Sequence, residues 1–81
     1  SFSKAISFYQ YQLAHNLMTP DEVVVRANKL LQRIVGEDLS KEVKVVSIPE
    51  GIAISMNNAS PMAMHNKIRI MEMLQTTTIP N

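Results

Sequence analysis

The 81-residue chain is the size of one domain, and such a domain buries only about 60% of the surface its unfolded chain exposes, so a second chain is a natural source of further burial. With 46% apolar and 19% charged residues the composition excludes a disordered chain, and a net charge of +1 lacks the basic excess usual in nucleic-acid binders. The absence of cysteine excludes disulfides, thiolate metal sites and cysteine nucleophiles, and no apolar run is long enough to span a membrane.

The first element is expected over residues 2–16, FSKAISFYQYQLAHN. Phe2, Ala5, Ile6, Tyr9, Leu13 and Leu17 recur at three- and four-residue spacing, which places them on one face of a helix. Phe8, Tyr11, Gln12 and His15 form a second stripe rotated away from that face.

A second helix is expected over 20–35. Thr19 supplies an N-cap hydroxyl and Pro20 occupies the first helical position, where its missing N–H costs nothing. Glu22, three residues after the cap, completes a capping box. Val23, Val24, Ala27, Leu30, Leu31, Ile34 and Val35 make one broad apolar face, and Gly36 is a natural stop. The polar face carries Arg26, Lys29 and Arg33 in a narrow arc, flanked by Asn28 and Gln32. Glu22 stands four residues before Arg26 and is expected to pair with it.

Between about 42 and 56 the period changes. Val43, Val45, Val46 and Ile48 precede Pro-Glu-Gly, and Ile52, Ile54 and Met56 follow it. This pattern predicts a β-hairpin with Gly51 in a left-handed conformation. Two strands are not stable alone and must lie against the helices.

Asn57–Ser60 reads as a loop, with Ser60 as N-cap and Pro61 repeating the first-position logic for a third helix over about 61–76. Ala63, Met64, Ile68, Ile70, Met71 and Leu74 span a wide apolar arc that also contains Lys67, and His65, Arg69 and Glu72 line the opposite face. Met64 and Met71, with Ile68, fall near the centre of the arc and are expected in the core. Met62 and Met73 fall at its edge. Alternation in Lys67–Ile70 leaves a third strand as the competing reading, and residues 77–81 read as a tail.

The order α-α-β-β-α predicts a small, helix-rich α+β domain, with a two-stranded hairpin packed on three helices.

Few residues suggest chemistry. His15 and His65 have no His, Asp or Glu at i+3 or i+4, so neither starts a metal site, and both read as surface imidazoles. Asp21 and Glu22 suit a helix N-terminus, and Glu37 and Asp38 follow Gly36 in a loop. Two glycines cannot build a phosphate-cradling loop. The Asn58–Ser60 triplet matches a glycosylation acceptor but is followed directly by Pro61, and no secretory leader pattern accompanies it. The expectation is a non-catalytic protein, cytoplasmic and without cofactor.

Two interaction surfaces compete. Phe8, Tyr11 and His15, with Met62 and Met73, offer aromatic and methionine side chains of the kind favoured at protein contacts. They predict a protein-binding or regulatory module that self-associates. The alternative is a DNA- or RNA-binding regulator that uses Arg26, Lys29 and Arg33, because arginine and lysine hold phosphates and arginine reads base edges.

Overall fold

The computed structural model describes residues 2–56 and 63–78. Three helices and one antiparallel hairpin follow in the expected order: α1 (Phe2–Ala14), α2 (Pro20–Val35), β1 (Val43–Ile48), β2 (Gly51–Met56) and α3 (Ala63–Thr78). Residues Lys67–Ile70 are helical, which removes the third-strand reading. Ser60, Pro61 and Met62 lie outside the described residues, as does the end of the chain beyond Thr78.

α1 ends two residues earlier than its apolar spacing suggests. Asn16 has φ 57°, and the Leu17 N–H donates to the Gln12 carbonyl at 2.8 Å while the Asn16 N–H donates to Leu13 at 3.1 Å. That pair of bonds is a Schellman motif with asparagine at its left-handed position. The reversal carries Leu17 off the helix, and it is exposed rather than part of the core face. The remaining face holds: Phe2 is buried, and Ile6, Tyr9 and Leu13 pack against the core.

α2 begins as its cap predicts. The Glu22 N–H donates to Thr19 Oγ1 at 3.2 Å. The return bond differs from a standard capping box, because the Thr19 hydroxyl donates to Glu22 Oε1 at 3.0 Å. This uses one oxygen of the carboxylate expected to pair with Arg26. Pro20 sits in the first turn, and Gly36 closes the helix at φ 85° with its N–H on the Gln32 carbonyl. Val23, Ala27, Leu31 and Val35 are buried at a strict four-residue spacing, with Val24, Leu30 and Ile34 alongside.

The hairpin pairs Val43 with Met56, Val45 with Ile54 and Ile48 with Gly51, leaving Pro49 and Glu50 as the turn. Gly51 has φ 137°, a conformation that side chains disfavour. Val43, Val45 and Ile52 are buried on the face turned to the helices.

α2 lies against β1 and α1 against β2, while α3 packs on both α1 and α2. One side chain ties helix to sheet. Asn28 Oδ1 accepts from the Val45 N–H at 2.7 Å, and Asn28 Nδ2 donates to the Val45 carbonyl at 2.9 Å. Nδ2 also reaches the Val24 carbonyl of its own helix at 3.0 Å. The carboxamide therefore serves β1 as a neighbouring strand would.

The face of α3 that meets the core corrects the sequence expectation. Ile70 is fully buried and Leu74 nearly so, whereas Met64, Ile68 and Met71, placed in the core from their spacing, are exposed. Met73, expected at the rim, is half-buried against the core. Two apolar stripes compete on this helix and only one can face inward. The branched pair one turn apart, Ile70 and Leu74, wins. Asn66 and Lys67 are half-buried on the helix, a position a lysine can hold because its aliphatic stem lies along apolar surface while the ammonium stays in water.

Candidate interaction surfaces

Phe8 and Tyr11 of the second stripe stay out of the core because Ile6, Tyr9 and Leu13 already face inward, whereas Gln12 is half-buried. Phe8 is 58% and Tyr11 55% exposed. His15 is exposed one turn beyond Tyr11, and the two rings stack at a tilt of 39° with centroids 4.2 Å apart. Phe8 leans on Tyr9 at 6.2 Å. The result is an outward ridge of aromatic rings along one helix.

α3 carries a matching feature. Met64, Ile68 and Met71, at successive four- and three-residue steps, are 69%, 49% and 45% exposed. Met73 belongs to the opposite, core-facing side of this helix, and Met62 lies outside the described residues. The helical spacing was plain in the sequence, but which stripe turns inward depends on what α1 and α2 present, and no local signal carries that.

The basic stripe of α2 is solvent-facing, with Arg26, Lys29 and Arg33 all exposed. Of its expected flank Gln32 is exposed, but the Asn28 carboxamide is committed to Val45. A base-reading role therefore has one amide fewer than the sequence offered.

The sheet presents a third feature, one the spacing did not announce. Val45 gives its N–H and carbonyl to Asn28, on the side away from β2, so Val45 and Ile54 form a non-hydrogen-bonded pair. The backbone groups of Ile54 then point to the far edge of β2, as do those of Ile52 and Met56 by alternation. Among the described residues the sheet has two strands, so nothing pairs with that edge. Beside it lies an open apolar groove of about 250 Å³ lined by Ile6, Val45, Ile52, Ala53 and Ile54.

Among the described residues the candidate chemical side chains are not brought together. His15 is exposed in the turn after α1 and His65 on α3, and Asp21, Glu22, Glu37 and Asp38 are all exposed. Among the described residues no three His, Cys, Asp or Glu side chains are grouped to hold a metal ion. No helix among them is long and apolar enough to cross a membrane. Comparison with known protein families, with curated proteins and with solved structures gives no match to this chain.

Proposed function

We propose that this chain is a non-catalytic protein-binding module that self-associates, with the outward stripes of α1 and α3 as its contact surface. Phe8 and Tyr11 are the anchors, His15 extends their ridge, and Met64, Ile68 and Met71 are the adaptable partners. The observation that carries the reading is the exposure of these five apolar side chains on two helices that pack together, each at least 45% open to solvent. Single exposed apolar residues are ordinary, but rows of them on neighbouring helices mark contact sites, and aromatics with methionine suit that role.

Sedimentation equilibrium of the purified chain tests it. The parent is expected to show a mass above 9.1 kDa that rises with concentration. Phe8→Ser with Met71→Ser is expected to weaken that association while leaving the fold intact, because both residues lie outside the core. Association identical in parent and double variant would contradict the reading.

A second reading rests on the exposed Arg26, Lys29 and Arg33 and makes the chain a small nucleic-acid binder. It predicts affinity for duplex DNA or single-stranded RNA that falls steeply with salt as counterions are released. Absence of any gel retardation at low salt removes it.

A further inference from the structure

The two edges of the hairpin are treated differently. β1 is covered: α2 runs beside it and the Asn28 carboxamide satisfies both backbone groups of Val45. β2 touches α1, but it lacks the charge, proline and bulge that keep an edge strand from pairing with another chain. Its sequence, GIAISM, contains no lysine, no other charge and no proline, and its pairing with β1 is continuous from Gly51 to Met56 without a bulge.

We infer that the edge of β2 pairs antiparallel with β2 of a second copy of this chain, giving a four-stranded sheet across a twofold axis. This interface is separate from the helical stripes proposed above and stands or falls without them. A strand is self-complementary in this arrangement when the residues whose backbone groups face outward are related by the axis. Ile52, Ile54 and Met56 meet that condition, with Ile54 on the axis and Ile52 opposite Met56 of the partner subunit.

Side chains agree with the backbone. Ile54 is 39% exposed, although it lies on the same face of the hairpin as buried Val45 and Ile52. Pairing on the axis sets it against Ile54 of the partner subunit, at the roughly 5.5 Å Cα spacing of a hydrogen-bonded pair. The apolar groove at Ile6, Val45 and Ile52 then continues into its symmetry mate. On the outer face Ala53 meets Ser55 of the partner subunit, both small and uncharged.

Charge permits a second copy, whereas a charged strand would have to desolvate its charges beside the apolar groove. No residue of β2 is charged, so two copies bring no like charges together. The nearest charge in the sheet, Lys44, stands on β1 opposite Ser55, and in the joined sheet the two copies of it fall on the outermost strands, three strand spacings or more than about 14 Å apart.

The test uses the Phe8→Ser/Met71→Ser chain, in which the helical contact is removed. That chain is expected to remain dimeric by sedimentation equilibrium. Adding Ile54→Pro is expected to weaken dimerisation at least about tenfold. The Ile54 N–H makes no bond to β1, so proline there removes an outward donor without breaking the hairpin. Ile54→Lys is the companion variant and is expected to act alike, with circular dichroism confirming the fold of both.

The chain has no cysteine, so Ile54→Cys offers one thiol per copy, and a short bis-maleimide is expected to link the copies. Three results would overturn the inference: a monomeric Phe8→Ser/Met71→Ser chain, a dimer indifferent to Ile54→Pro and Ile54→Lys, or no cross-link at Ile54→Cys. Mixing with an unrelated extended peptide is expected to leave the dimer intact, and displacement by it would assign the edge to a foreign strand instead. Failure of the helical reading looks different, since the Phe8→Ser/Met71→Ser chain would then associate just as the parent does.

Discussion

With its amide committed to both backbone groups of Val45, Asn28 replaces the bonds that a third strand would make on β1. Asn28→Ala strands a donor and an acceptor in a part-buried place, and such unmet groups cost about 1–3 kcal/mol. A melting midpoint lowered by several degrees in differential scanning calorimetry is the expected outcome. No spacing rule pointed to this role, because the bond joins residues 17 apart in sequence and a polar helical residue next to Arg and Lys reads as solvent-facing. Thr19 is the contrasting case, since a cap is local chemistry and was legible. Thr19→Ala removes the acceptor for the Glu22 N–H and is expected to cost about 1 kcal/mol, and an unchanged midpoint would contradict the cap. Asn16, left-handed at φ 57°, predicts the opposite sign. Asn16→Gly relieves the side chain's strain and is expected to stabilise the domain by about 0.5–1 kcal/mol, read by urea denaturation.

Elements follow from period and caps, and at this scale the sequence was a good guide. The Thr19-Pro20 start, the Gly36 stop and the valine-rich hairpin about Pro-Glu-Gly all stand where their chemistry puts them. The orientation of α3 was not legible. Its sequence contains two apolar stripes, 64-68-71 and 70-74, and propensity is the same whichever faces inward. The choice is made by the packing of α3 on α1 and α2, which places Ile70 and Leu74 in the core. The consequence is measurable by chemical denaturation of two neighbouring truncations. Ile70→Ala leaves a hole in a fully buried site and is expected to cost about 2–5 kcal/mol. Met71→Ala, on the exposed side, is expected to stay within about 0.5 kcal/mol of the parent. The reverse ranking would mean that α3 is rotated from the position described.

As a whole the molecule is flattened, with extents of 40 × 31 × 20 Å, and a slab of this size has much surface for its core. The hairpin closes one side of the helices, and the stripes of α1 and α3 remain open together with the edge of β2. Burial against a second chain is the physical remedy for both, which joins the exposed surfaces to the proposed function. The basic face of α2 offers nucleic acid a weaker target, as the chain carries a net charge of only +1. Sedimentation equilibrium of the parent chain over a hundredfold range of concentration, alone and with duplex DNA at low salt, tests this account most directly. The predicted result is a mass that climbs from 9.1 kDa with protein concentration and owes nothing to the DNA. A mass fixed at the monomer value throughout, or association only when DNA is present, would contradict it.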